Sequence, residues 1–306
     1  MRLRLLGPVD IFDEVNGRRI DLTGAKRRAL LATLVVRQGQ TISLHRLTEE
    51  LWGERPPANA VNALQAHVAR LRKLLSVAGG SPDQIVTQSS GYSLDLEPGQ
   101  TDVDEFNRLS AQAREVLADR PERAIELLRA ALDLWRGPAF DGNTTGEILA
   151  TEAELLTENR LATLESLYDA SLRIGRHREV VGEIEETIAA HPLRERFYDQ
   201  LMVALYRCHR QSEAIGVYDR ARRKLLRELG VEPGPALRGR MQAILAHSPS
   251  LLLPASEESD VDGLSITSIG DLNQELAHLQ RRMNTLARRQ EQLMRMVAGT
   301  AAVAGL

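Results

Sequence analysis

The sequence predicts an α+β domain, then an all-α region, then one further amphipathic helix. In residues 1–97 short strand-like segments alternate with helical ones. Residues 101–247 have helical spacing of apolar residues, much Ala and no alternation of β-branched residues. Residues 266–298 carry Leu at intervals of seven, which is typical of a coiled coil. At 306 residues the chain is long enough for two domains and a tail.

Composition and charge narrow the class of protein. The hydrophobic fraction of 43% and the charged fraction of 26% are ordinary for a soluble globular protein. Residues 1–100 hold 13 Lys and Arg against 10 Asp and Glu, a net +3, whereas residues 101–306 hold 26 against 32, a net −6. The more favourable field for an anionic partner is therefore at the N-terminal end.

Three features of the sequence predict the compartment. No run approaches the roughly 18 apolar residues of a membrane span, so we expect no membrane partner. The first residues, MRLRLLGPVDIFDE, lack the apolar core of a signal peptide, and the single cysteine, Cys208, rules out an internal disulfide. We therefore expect a cytoplasmic protein.

Nine segments fill residues 1–97, in the order three strands, helix, short strand, two helices and a terminal hairpin. In order they are residues 2–6, 9–12, 18–22, 25–37, 41–42, 44–52, 59–75, 85–88 and 92–96. Asn16-Gly17 is a strong turn signal between two of the strands. Gly39 ends the first helix, and Ser43 is placed to cap the second.

The helix at residues 59–75 has two contrasting faces. Its apolar residues recur at spacings of three and four and should face inward: Val61, Leu64, Val68, Leu71 and Leu75. The opposite face carries amides, small side chains and cations: Asn59, Asn62, Ala66, Arg70 and Lys73. The helix contains no acidic residue, which suits the DNA major groove. Taken alone, however, such a helix is more often a solvated basic surface.

The neighbouring segments favour the DNA interpretation. A hairpin that ends in SSGYSLDL, placed after ARLRKLL, resembles the wing of an OmpR-type winged helix-turn-helix. Residues 24–36 (GAKRRALLATLVV), 43–75 and 89–94 (SSGYSL) together resemble the DNA-binding domain of the SARP family. Members of that family activate gene clusters of secondary metabolism in actinomycetes.

The resemblance and the residue chemistry together predict the roles of particular side chains. Base edges would be contacted by Asn59, Asn62, Ala66 and Arg70. Phosphates and the wing contact would involve Lys26, Arg27, Arg28, Arg72, Lys73, Ser89, Ser90 and Tyr92. For the cations that open the first helix, solvated surface charge is an equally good interpretation. The resemblance further implies binding to direct repeats near the −35 element and recruitment of RNA polymerase, with Glu54 and Arg55 as polymerase contacts.

The all-α region contains three similar helical segments. They cover residues 123–137, 178–193 and 213–230, at unequal intervals, so we expect an imperfect array of helical hairpins rather than a strict repeat. Residues 191–238 closely resemble the bacterial transcriptional activator domain, which is built from tetratricopeptide-like helix pairs. We therefore expect this domain at residues 101–247.

The last part of the chain is predicted to be a linker at 248–265, a helix at 266–298 and a disordered tail at 299–306. Heptad positions in the helix are filled by Leu272, Leu276, Leu279, Met283, Leu286, Gln290 and Leu293. This short leucine zipper predicts a homodimer. A helix that packs back on its own chain is the alternative.

Catalytic chemistry has little support. The phosphate-binding G-x-x-x-x-G-K-[ST] pattern is missing, and the seven histidines are scattered, so we expect no enzyme, no cofactor and no metal. Asp102 and Asp104 are predicted to cap a helix, and Trp52 and Trp135 to be core or hinge residues. A rival function from another class is a helical-repeat protein that binds a peptide or small molecule, with DNA binding secondary.

Overall fold

The computed structural model describes residues 1–142 and 144–252. It confirms the predicted fold class, a winged helix-turn-helix followed by an all-α region. The N-terminal elements are β1 (Arg2–Arg4), β2 (Asp10–Asp13), β3 (Arg18–Asp21), α1 (Ala25–Val36), β4 (Ile42–Ser43), α2 (Leu44–Trp52), α3 (Ala60–Val77), β5 (Ile85–Thr87) and β6 (Gly91–Leu94). The helices that follow are α4 (Asp102–Val116), α5 (Pro121–Leu132), α6 (Glu147–Arg173), α7 (His177–Ala190), α8 (Glu195–Arg207), α9 (Gln211–Leu229) and α10 (Pro235–Leu245).

Two small antiparallel sheets frame α1, α2 and α3. The first has the order β1-β2-β3, with Leu3 opposite Ile11 and Ile11 opposite Ile20. The predicted turn at Asn16 is held by Asp13, which accepts hydrogen bonds from the Asn16 backbone N–H and side-chain amide. The second sheet has the order β4-β6-β5, so the central strand is β6. This sheet attaches the terminal hairpin to the strand that precedes α2.

The apolar stripe of α3 packs into the core with one exception. Leu64, Val68, Leu71 and Leu75 are at most 1% exposed. Val61, in contrast, is 43% exposed, so its predicted place in the core is wrong. Val61 lies in the first turn of α3, where the helix extends beyond the core that covers its later turns.

The helical region is built from sequential helix pairs: α4 packs on α5, α5 on α6, α7 on α8, and α8 on α9. Its largest fully buried side chains include Phe106, Phe140, Tyr168 and Phe197. Tyr168 and Phe197 meet edge to face with ring centroids 6.1 Å apart. The 27-residue helix α6 contacts α5, α7 and α8 and also reaches α1 and α2. It therefore links the helical region to the N-terminal domain.

A buried carboxylate of the N-terminal domain caps α6. Glu50 of α2 is 2% exposed and accepts hydrogen bonds from the backbone N–H groups of Ile148 (3.1 Å) and Leu149 (2.9 Å). A carboxylate at this position satisfies first-turn donors and favours the helix dipole. A Cβ at Gly146 would lie 2.0 Å from Glu50 Cδ, so only glycine leaves room for the cap. Beside it, Arg46 and Glu147 form an exposed ion pair of 2.5 Å.

The Glu50 cap is one joint between the two domains, and a second joint lies at the start of α4. At this second joint the structure corrects one prediction. Thr101, not the aspartates, caps α4 by accepting a hydrogen bond from Asp104 N. Asp102 instead accepts hydrogen bonds from Leu5 N (2.7 Å) and Leu6 N (3.1 Å), and Arg136 contacts it at 3.3 Å. Burial raises the pKa of Asp102, against the opposing effect of these donors.

A neighbouring cluster lies between the same two parts of the chain. Asp10 is fully buried and lies 2.6, 3.0 and 3.2 Å from the guanidinium groups of Arg4, Arg19 and Arg136 respectively. A buried carboxylate requires such partners, because burial alone disfavours its charged form. Three arginines thus hold one aspartate at this joint.

The described chain ends within the predicted linker. Leu251 is fully buried and its carbonyl accepts a hydrogen bond from Arg207 Nε at 2.8 Å, so this residue of the predicted linker packs on the helical region. The remaining linker, the zipper residues Leu272 to Leu293 and the tail lie outside the described residues. The predicted domain boundaries stay predictions. Within the described part, no helix combines the length and apolarity needed to cross a membrane.

Candidate nucleic-acid interface

The exposed face of α3 carries every base-contacting residue that the sequence predicted. Asn59, Asn62, Ala66 and Arg70 are exposed, and Lys73 lies further along the same helix and is also exposed. Helix α3 contains no Asp or Glu. Within the described part of the chain, Arg70 and Lys73 form no ion pair or hydrogen bond. Their charge is therefore available to an external anion.

Three further residues of α3 are exposed: Gln65 and Ala69 extend this face, whereas Val61 lies on the apolar side in the first turn, and the sequence prediction missed all three. Gln65 and Ala69 stand three and seven positions after Asn62, so the same helical spacing could have identified them. Val61 was missed because it was assigned to the core. The face thus combines amides and small side chains with two cations.

The cations of the first turn of α1 are held by the protein itself. Lys26 Nζ donates a hydrogen bond to the carbonyl of Leu51, at the end of α2. Arg27 donates to Thr23 Oγ1 at 2.7 Å, and Arg28 to the carbonyl of Leu22 at 3.3 Å. All three side chains are half-buried. They fasten the beginning of α1 to its surroundings, in contrast to the cations of α3.

Arg72 also has an internal role. Its Nη2 donates hydrogen bonds to the Ile85 carbonyl (2.6 Å) and to Thr87 Oγ1 (2.8 Å). Both acceptors belong to β5, the first strand of the hairpin. Arg72 therefore sets the position of the hairpin relative to α3, and its guanidinium is occupied in this arrangement.

The hairpin presents its tip and buries its tyrosine. Ser89 and Ser90 are exposed at the turn, as a wing contact requires. Tyr92 is 6% exposed, because it lies in the central strand β6, opposite both Ile42 and Thr87. The prediction that Tyr92 contacts DNA is therefore wrong for this arrangement.

The close approach of β4 to β6, the second strand of the hairpin, depends on one glycine. A Cβ at Gly91 would lie 1.8 Å from the Ile42 carbonyl oxygen, so β4 and β6 approach as closely as they do only because residue 91 is glycine. The SSG sequence therefore combines an exposed tip with a close strand contact.

The positive potential around α3 acts on a histidine of the same helix. Burial, followed by the charges of Arg27 and Arg70, lowers the pKa of His67. The His67 ring lies 6.3 Å from that of Trp52, at the end of α2. Beyond Trp52, the loop with Glu54 and Arg55 is exposed, and Pro56 and Pro57 limit its conformations.

Two family models match the chain. Residues 17–94 match the model described as "Transcriptional regulatory protein, C terminal", and residues 101–245 match "Bacterial transcriptional activator domain". The chain is 41% identical over 262 residues to the transcriptional regulator RedD of Streptomyces coelicolor, covering 84% of this chain and 73% of RedD. It is 34% identical over 259 residues to the regulatory protein DnrI of Streptomyces peucetius, covering 82% of this chain and 94% of DnrI. The chain belongs to the SARP family of transcriptional regulators.

A solved structure agrees with this assignment. The SARP-family chain described here matches Mycobacterium tuberculosis EmbR, solved in complex with a low-affinity phosphopeptide, with a TM-score of 0.75 and 33% identity. The match covers 81% of this chain and 65% of the EmbR chain. The family predicted from the sequence is confirmed, and the protein is a DNA-binding transcriptional regulator. The relatives named above are regulators rather than enzymes.

The candidate interface lies within the described residues, 1–142 and 144–252. Within them, no group of three or more His, Cys, Asp or Glu side chains is placed to hold a metal ion.

Proposed function

We propose that this SARP-family protein is a sequence-specific transcription activator that places α3 in the major groove of its operator. The main support is the exposed face of α3, which combines amides, small side chains and free cations and carries no acidic residue. Phosphates line both sides of the major groove, so carboxylates on a helix within it are unfavourable and cations are favourable.

Each side chain on this face suits a particular contact. The amides of Asn59, Asn62 and Gln65 can pair with adenine edges, and Arg70 can donate two hydrogen bonds to guanine. Ala66 and Ala69 permit the helix to approach closely. Val61 lies on the apolar side of α3, but it is exposed in the first turn and suits the methyl group of thymine.

The phosphate contacts divide into direct and supporting ones. We assign direct contacts to Lys73 and to Ser89 and Ser90 at the wing tip, because these side chains are exposed. Lys26, Arg27 and Arg28 contribute to the field around the start of α1 and hold that turn in place. Arg72 orients the wing through its contacts with β5.

The finer functional assignment follows the family. We propose binding to direct repeats near the −35 element of promoters of a secondary-metabolite gene cluster. Recruitment of RNA polymerase would use the exposed loop with Glu54 and Arg55, which leaves the α3 face free for DNA. The site of action would be the cytoplasm, at the nucleoid.

Dimerisation is a separate proposal. The heptad residues Leu272, Leu276, Leu279, Met283, Leu286, Gln290 and Leu293 would form a homodimer. Sedimentation equilibrium tests it: a wild-type monomer at micromolar concentration would contradict the proposal.

The central test measures the affinity for promoter duplexes from the region around the protein's own gene. Arg70→Ala should weaken specific binding by about 1–3 kcal/mol and relax the preference at one base position, because it removes a base contact. Arg178→Ala is the matched control, an exposed arginine in the first turn of α7, and should leave the affinity unchanged. Equal promoter affinity for wild type and Arg70→Ala would contradict the proposed placement of α3.

A further inference from the structure

A cavity of about 550 Å³ lies in the helical region, bordered by α6, α7 and the segment after α5. Its volume falls in the range of sites that hold small organic molecules. Apolar side chains on its walls include Pro138, Leu161 and Leu164. The cavity is separate from the α3 face, and none of the DNA contacts proposed above uses it.

Two hydrogen-bond donors at this cavity have no partner in the part of the chain that the structure describes. Trp135 is 9% exposed, and its buried Nε1–H has no hydrogen-bond acceptor within the described residues. Arg160 lies with its guanidinium carbon 4.9 Å from the centroid of the Trp135 ring, and its buried Nε is also without an acceptor. Native proteins satisfy most of their buried donors, so two orphans at one cavity point to an absent acceptor.

The surroundings of Arg160 do not supply a counter-ion. Burial lowers the pKa of Arg160, and none of the described carboxylates forms an ion pair with it. Nearby His191 has its pKa lowered by burial and by the charges of Arg160 and Arg194. Glu183, also on the wall, is already paired with Arg129 at 3.1 Å. Glu186 is on the exposed side of α7 and borders the opening.

The polar groups on the cavity wall differ in whether they are already hydrogen-bonded. Tyr168 is not a free donor, because its hydroxyl is 2.8 Å from Thr187 Oγ1 and 3.3 Å from the Glu183 carbonyl. Among the described residues at this cavity, the buried donors without an acceptor are therefore on the indole and the guanidinium, and Leu161, Leu164 and Pro138 make part of the wall apolar. A ligand would place its polar end at Arg160 and its apolar body against Leu161 and Leu164.

We propose that this cavity binds a small organic acid with one carboxylate and an apolar body. The guanidinium fork matches a carboxylate, and the Trp135 indole N–H adds a neutral donor. One permanent cation lies on the described wall, and Glu186 borders it, so a singly charged anion fits better than a phosphate dianion. Such a site would add ligand recognition to the helical domain, independently of how α3 contacts DNA.

The test uses 1-naphthoate as the probe and full-length protein labelled with 5-fluorotryptophan. The chain has two tryptophans, so the ¹⁹F spectrum should show two resonances, and Trp52→Phe assigns them. We expect 1-naphthoate to shift the Trp135 resonance saturably. The uncharged analogue 1-naphthalenemethanol should bind about tenfold more weakly, because it lacks the anion for Arg160.

Two variants complete the experiment. Arg160→Met keeps the alkyl chain and removes the charge, and should raise the dissociation constant of 1-naphthoate about tenfold or more. Arg178→Met, on an exposed turn, should not change it. Ala190→Phe narrows the cavity from an exposed position on α7 and should also weaken binding, which keeps the test valid if Arg160→Met fails to fold.

Three outcomes would overturn the proposal. They are no saturable shift of the Trp135 resonance at millimolar 1-naphthoate, equal affinity for the acid and the alcohol, or a folded Arg160→Met that binds like wild type. If Arg160→Met does not fold, wild-type affinity in a folded Ala190→Phe would overturn it as well.

Discussion

The α3 face and the joint between the two domains use charged residues in opposite ways. At the joint, Asp10, Glu50 and Asp102 are buried and each accepts several hydrogen bonds from nearby N–H groups. On α3, Arg70 and Lys73 are exposed, and neither has a partner among the described residues. Charged side chains that are already hydrogen-bonded within the protein stabilise the fold, because few of their donors or acceptors remain for a ligand. Charged side chains without such partners are available for recognition.

The cations in the first turn of α1 share features with both regions. Lys26, Arg27 and Arg28 are cations near the proposed DNA surface, as are those of α3, but each donates to an oxygen of its own chain. Residue type alone therefore does not tell which cations are free. Substitutions of the cations in α1 and of those in α3 should therefore have different effects.

The largest effect is expected at the joint. Glu50→Ala should lower the free energy of unfolding by about 2–3 kcal/mol, because it leaves two N–H groups at the start of α6 without an acceptor. Urea denaturation measures this. Exposed Glu49, one position earlier, provides the control, and Glu49→Ala should change stability by less than about 0.5 kcal/mol. Similar losses for both variants would remove the distinction drawn here.

A smaller effect separates the two sets of cations on DNA. Lys73→Ala should reduce the slope of log affinity against log salt by about 0.9, the value of one neutralised phosphate. Lys26→Ala should leave that slope unchanged and instead lower stability by about 1 kcal/mol, because Lys26 holds the Leu51 carbonyl. Salt titrations of promoter binding measure both slopes. A reduced slope for Lys26→Ala would show that this lysine exchanges its internal contact for a phosphate.

The smallest effect concerns pH. The folded-state pKa of His67 is lowered by burial, so in the acidic range the unfolded chain binds more protons at this position than the folded one. Stability should therefore decrease as pH falls from about 6.5, the unfolded value. His67→Gln should make the loss between pH 7 and pH 5 shallower by a fraction of a kcal/mol, as followed by thermal unfolding. A steeper loss in the variant would contradict the sign.

The spacing of apolar residues predicts the buried face of a single helix or strand, because that spacing lies within the element itself. Spacings of three and four identified which face of α3 is buried, but not that the core ends before its first turn, so Val61 was misplaced. Tyr92 was misplaced for a related reason. Alternation within a hairpin does not reveal that β6 is the central strand of three, with every residue buried.

Contacts between distant segments carried no local signal at all. Glu50 caps a helix about 98 residues further along the chain, and Asp102 binds residues 97 and 96 positions before it. Neither the glycine at 146 nor the aspartate at 102 has a neighbour in sequence that indicates its partner. The cavity at Arg160 was missed for the same reason, because its walls come from three separate elements.

The cap that Glu50 provides for α6 has a consequence for exchanging modules between relatives. A DNA-binding domain transplanted onto another helical domain needs a glycine at the position of Gly146, because a Cβ there would collide with the carboxylate of Glu50. Likewise, the backbone at Leu5 and Leu6 needs an acceptor at the position of Asp102. Chimeras joined at the sequence boundary alone would lose both of these interdomain contacts. Chimeras that transfer the partner residues together would keep them.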